Sequence, residues 1–162
     1  MCLQCDGWSA AEVERHINNL IEQHGWAFQY VEDPNPRRRF GYTMGLTKRG
    51  EPEFLVRGLD MADTNKMFSG FVSAVLDRRE HFDNGHTANW VDGRLLYFST
   101  MRGATKYALG AYARYGHGTR VLEIHFMDRE VPPVTPALRF NPVSTPAGYG
   151  PAAARKRWEQ EA

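Results

Sequence analysis

Along residues 40–47 apolar and small polar positions alternate with a period of two. Phe40, Tyr42, Met44 and Leu46 fall on one side of an extended chain, and Gly41, Thr43, Gly45 and Thr47 fall on the other. One side is bulky and the other nearly bare; glycines in a strand mark places where a neighbouring element or a flat ligand comes close. A loop through Lys48, Arg49, Gly50 and Pro52 leads to a second apolar run at residues 54–56, so the unit predicts a hairpin.

The same reading extends in both directions. Ser9 followed by Glu12 forms a capping box, and Val13, Ile17, Leu20 and Ile21 recur at helical spacing, which predicts a helix over residues 9–24 closed by Gly25. Trp26, Phe28 and Tyr30 then alternate as a strand does, until Pro34 and Pro36 break the pattern into a loop ending in Arg37, Arg38 and Arg39. Beyond the central hairpin, Asp60 can cap a second helix whose apolar pairs Met67/Phe68, Phe71/Val72 and Val75/Leu76 carry it to about residue 79.

Asn84-Gly85 and Asp92-Gly93 are turn dipeptides, and the second predicts a two-residue type I′ hairpin within residues 89–98. Residues 105–115 predict a third helix, ended by Gly116-His117-Gly118. Residues 119–127 give the clearest strand, with Leu122, Ile124 and Phe126 set against Val121, Glu123, His125 and Met127. After Asp128 prolines crowd the chain (Pro132, Pro133, Pro136, Pro142, Pro146, Pro151), so regular ladders stop there. The expected organisation is a compact α+β domain over residues 1–128, with an antiparallel-rich sheet of about five to six strands and three helices. Residues 129–162 follow as a proline-rich extension that wraps the core or dangles.

Composition narrows the function classes. The 162 residues carry 20 basic and 19 acidic side chains, a net charge of +1, so no global field draws the chain to nucleic acid or an anionic membrane. No apolar run approaches the roughly 18 residues that span a bilayer. The opening Met1-Cys2-Leu3-Gln4-Cys5-Asp6 lacks the charged-then-apolar pattern of a leader, and two closely spaced cysteines are too few for a secreted disulfide framework. A cytoplasmic location is the expectation.

Candidate chemistry is sparse. Cys2 and Cys5 have the spacing of half a zinc site, with histidine the available type of further ligand; among the six histidines only His81 and His86 have the H-x₃₋₅-H spacing a metal pair uses. Zinc is therefore the one cofactor the residues suggest. Glu123 and His125, two apart on a strand, share a face on which a carboxylate could orient an imidazole as general base. The surface beside the central strand, with Thr43, Gly45 and Thr47 of its bare side, neighbouring Tyr42 and the nearby guanidinium of Arg39, is the candidate ligand surface. The chain contains no G-x-S-x-G elbow, H-E-x-x-H pair, phosphate-binding Walker loop or dinucleotide fingerprint opening a helix.

Several short motifs occur together in order: Met1-Cys2-x-Gln4-Cys5, His24-Gly25-Trp26, Tyr42-Thr43-x-Gly45-Leu46, Pro52-Glu53, Gly58-Leu59, then residues 121–128 with prolines and Asn141-Pro142. As a set they resemble the bacterial and phage family catalogued as domain of unknown function 4262. The resemblance implies a bacterial, cytoplasmic context and no assigned reaction. Two functional classes follow from the residues. The first is a non-enzymatic domain that binds a small molecule or protein, a homodimer included, beside residues 42–47. The second is a small hydrolase or transferase using His125 and Glu123, with or without a metal.

Overall fold

A computed structural model describes residues 6–127. Cys2, Cys5 and the proline-rich stretch lie outside the described residues. Within them the chain is α+β, with three α-helices and six strands paired mostly antiparallel, as the sequence predicts. The described residues divide into two compact units, one formed by residues 6–73 with 103–121 and the other by residues 74–102 with 122–127.

In the first unit, α1 (Ala10–His24) begins at the expected capping box. Ser9 Oγ accepts from the Glu12 N–H (3.1 Å) and the Glu12 carboxylate accepts from the Ser9 N–H (3.0 Å). Gly25, left-handed, returns its N–H to the Ile21 carbonyl and ends the helix. The chain enters β1 (Ala27–Val31), which pairs antiparallel with β2 (Phe40–Met44) in the register Ala27 to Met44 through Val31 to Phe40. β2 pairs antiparallel in turn with β3 (Glu53–Arg57), Tyr42 facing Leu55.

The two sides of β2 differ as the alternation predicts, up to Met44. A Cβ on Gly41 would lie 2.7 Å from Thr64 Cγ2, so the bare side admits α2 (Met61–Leu76) at close approach. On the bulky side, the Tyr42 hydroxyl accepts from the Gly110 N–H (2.8 Å) at the start of α3 (Leu109–Tyr115). Met44, Leu46, Phe54, Leu55, Met67 and Phe68 are completely buried around this strand. Full burial of side chains this size contributes about 1.5–3 kcal/mol each.

In the second unit, β4 (Thr87–Asn89), β5 (Leu95–Thr100) and β6 (Val121–Phe126) form an antiparallel ladder, with Ala88 opposite Leu96 and Leu96 opposite Phe126. Leu96, Phe98, Leu122, Ile124 and Phe126 are buried on one side, and Phe82 packs on Phe98 at 5.0 Å between ring centroids.

Three local expectations change. β2 stops at Met44, because Gly45 takes φ +125° and starts a 3-10 turn over Leu46–Arg49. The Asp92-Gly93 dipeptide does not form a two-residue turn. Trp90 to Arg94 make a longer loop, in which Asp92 Oδ1 accepts from the Arg94 N–H (3.0 Å) and Trp90 N–H reaches the Arg94 carbonyl (2.8 Å). The third helix starts at Leu109 instead of Thr105, since residues 104–106 first make a separate 3-10 turn opened by left-handed Gly103. Among the described residues no helix is long and apolar enough to cross a membrane.

Candidate functional site

The bare side of the central strand holds an acid. Glu53, the first residue of β3, is completely buried and directs its carboxylate at the end of β2. Its Oε1 accepts from Thr43 Oγ1 (2.8 Å) and the Leu46 N–H (3.3 Å). Its Oε2 accepts from Thr47 Oγ1 (2.6 Å), the Thr47 N–H (2.8 Å) and the Gly45 N–H (3.2 Å). Thr43 Oγ1 also accepts from the Phe54 N–H (2.9 Å), so this hydroxyl donates once and accepts once. Burial pushes the Glu53 carboxyl above the ordinary glutamate value, while the hydrogen bonds from Thr47, Thr43 and Leu46 pull it back. The Tyr115 phenol is likewise raised, first by burial and then by the negative charge of Glu53.

Four of the residues read as a ligand surface thus sit inside the protein framework. Thr43, Gly45 and Thr47 are donors to Glu53, and Tyr42 is held under α3. Arg39 lies apart, its Nε donating to the Asp33 carbonyl (3.1 Å) across the proline loop, while the Arg39 carbonyl accepts from the Gly58 N–H (2.9 Å). Glu53 itself was visible in the sequence only as part of Pro52-Glu53. Its role depends on a fold that brings it ten residues back to Thr43.

The second cluster lies on β5 and β6. Tyr97 is opposite His125 and Ser99 is opposite Glu123, so all four side chains share one side of the ladder. The Tyr97 and His125 rings stack at 4.6 Å between centroids and 17° between planes. Ser99 Oγ lies 2.8 Å from His125 Nε2, a contact in which the hydroxyl donates when that nitrogen carries no proton. The Tyr97 phenol is raised by burial and next by the charge of Glu123, so the carboxylate is felt at the aromatic stack. Ser99, Glu123 and His125 are half-buried and Tyr97 is buried.

The structure therefore brings the expected Glu123 and His125 onto one face and adds Ser99 and Tyr97, which periodicity alone did not single out. Pairing residues 95–100 against 121–126 in antiparallel register would have exposed both, because it sets Ser99 diagonal to His125.

His81 and His86 meet edge to face at 6.3 Å, with His81 Nε2 3.5 Å from Asp83 Oδ2. His86 Nδ1 accepts from the Asp83 N–H (3.2 Å), which ties that ring into the turn. Among the described residues no group of three or more His, Cys, Asp or Glu side chains is placed to hold a metal ion.

Fold and site together define an α+β domain with an internally saturated acid in one unit and a serine–histidine–glutamate–tyrosine face in the other. The family described as Domain of unknown function (DUF4262) matches residues 20–131, and the chain belongs to that family. No curated protein and no solved structure matches it.

Proposed function

We propose that the protein is a small cytoplasmic binding or regulatory domain of a bacterium or phage, and that it recognises its small-molecule or protein ligand through the Tyr97, Ser99, Glu123 and His125 face. One observation carries this reading. Tyr97, His125 and Ser99 converge there through a 4.6 Å stack and a 2.8 Å hydrogen bond, Glu123 stands opposite Ser99 on the same side, and three of the four stay half-buried. Such a set supplies a π surface, a hydroxyl and a carboxylate, the mixture that fixes orientation in ligand sites. The net charge of +1 argues against nucleic acid as the ligand.

A second reading, a hydrolase or transferase with His125 as base and Glu123 as its electrostatic partner, is favoured by the Ser99 to His125 hydrogen bond. Zinc on Cys2 and Cys5 belongs to the proposal as well. Elemental analysis of untagged protein checks it, and metal well below one equivalent that is unchanged by Cys2→Ser would remove it.

A thermal-shift screen of metabolites against wild type, Glu123→Gln and His125→Ala tests the binding reading, since a ligand that binds only the native state raises its apparent stability. Ligands whose shift disappears in both variants support it. Ligands that stabilise all three proteins equally place recognition elsewhere.

A further inference from the structure

We infer that Ser99 is a nucleophilic serine that accepts an acyl group from a carboxylic ester, with His125 Nε2 as the base that removes its proton. The inference rests on the second of the two readings above and goes beyond it by naming the nucleophile and the class of electrophile. The geometry is that of an activated hydroxyl: Ser99 Oγ is 2.8 Å from His125 Nε2, within the reach a nucleophile and its base require. Two features hold the imidazole in place for that contact. Its ring lies flat on Tyr97, which restricts it to one plane, and β6 fixes its backbone opposite Tyr97 in the ladder. Glu123 faces Ser99 directly across the strands, and its charge is felt at the Tyr97 stack, so an imidazolium formed at His125 would have an anion close by.

The step balances without any added cofactor. Ser99 Oγ bonds to the ester carbonyl carbon as its proton passes to His125 Nε2, the bond from that carbon to the leaving oxygen breaks, and the departing alcohol takes the proton from Nε2. Water then repeats the sequence on the acyl–serine, giving the carboxylic acid and restoring the Ser99 hydroxyl.

A contrast with the two threonine hydroxyls around Glu53 sets Ser99 apart. Thr43 and Thr47 are spent on Glu53 inside the fold, whereas Ser99 is half-buried and meets a base.

Incubating the full-length protein with an alkyl fluorophosphonate carrying a reporter, then mapping the adduct by peptide mass, tests this. The expected result is one equivalent of adduct on Ser99, none in Ser99→Ala, and labelling slowed on the order of 100-fold in His125→Gln, the usual scale of lost base catalysis. The wild-type rate should rise with pH as a single deprotonation, and that rise should vanish in His125→Gln. Mapping on wild type needs no variant, so misfolding of a mutant cannot rescue the idea. An unlabelled wild type, an adduct on another residue, or His125→Gln labelled at the wild-type rate overturns it. If labelling fails while ligand-induced thermal shifts still depend on Glu123 and His125, the binding reading stands and this inference falls. If Ser99 is labelled while the screen yields nothing, the inference stands and the binding reading loses its support.

Discussion

The clusters around Glu53 and around His125 each pair a hydroxyl with an ionisable side chain, and they are built to opposite ends. Around Glu53 five donors converge on one completely buried carboxylate, and both threonine hydroxyls are committed to it. Around His125 the Ser99 hydroxyl meets ring nitrogen Nε2, and the group is half-buried. A saturated buried acid has the form of a fastener: it gathers the N–H groups of Gly45, Leu46 and Thr47 that the end of β2 would otherwise leave unpaired. A half-buried group, with part of its surface open, can meet another molecule. Polar residue types alone do not separate the two; burial does.

The comparison can be broken most forcefully at Glu53. Glu53→Ala should cost about 3–5 kcal/mol in denaturant unfolding, because several buried donors lose their acceptor at once. A cost near zero would mean that the loop finds other partners and that the acid is not a fastener.

Gly45→Val comes next. At φ +125° a side chain is strained, and its Cβ would sit 2.4 Å from the Gly25 carbonyl oxygen and 2.8 Å from Trp26 Cα. Backbone on both sides leaves little room to yield, so a loss of about 3 kcal/mol is expected from overpacking together with strain. Unchanged stability would show that the turn after β2 can be rebuilt without its glycine.

A smaller effect sharpens the electrostatic side. Burial raises the folded-state value of Glu53 above its ordinary 4.5, so its stabilising contribution is fully present below that value and is lost as pH rises through the raised one. Wild-type stability measured against Glu53→Gln should therefore decline as pH rises from about 4.5 towards neutrality. A difference that grows over that window would mean the five donors outweigh burial.

What could be read from the sequence follows the range over which each signal acts. The capping box at Ser9 and Glu12, the Gly25 stop and the two-sided alternation of residues 40–44 are local, and the structure repeats them. The end of β2 was missed because alternation continues on paper through Thr47 while Gly45 turns the backbone. The bare face could be seen to need an occupant. That it takes Thr64 at Gly41 and a carboxylate at Thr43 is a matter of tertiary approach. Likewise, Glu123 and His125 share a face by simple period-two arithmetic, but Ser99 lies 26 residues before His125 and joins it only through the β5–β6 register. The Asp92-Gly93 turn failed for another reason: the Asp92 side chain engages Arg94 and stabilises a longer loop, which a dipeptide rule does not see.

The most direct test compares matched hydroxyl deletions, Thr43→Val and Ser99→Ala, by denaturant unfolding under identical conditions. Removing the Thr43 hydroxyl takes a donor from buried Glu53 and an acceptor from the Phe54 N–H, so a loss of about 2–3 kcal/mol is expected. Removing the Ser99 hydroxyl gives up one hydrogen bond at a half-buried position and should cost about 1 kcal/mol or less. Equal losses, or a larger loss at Ser99, would contradict the division of the two clusters into a structural fastener and a functional face.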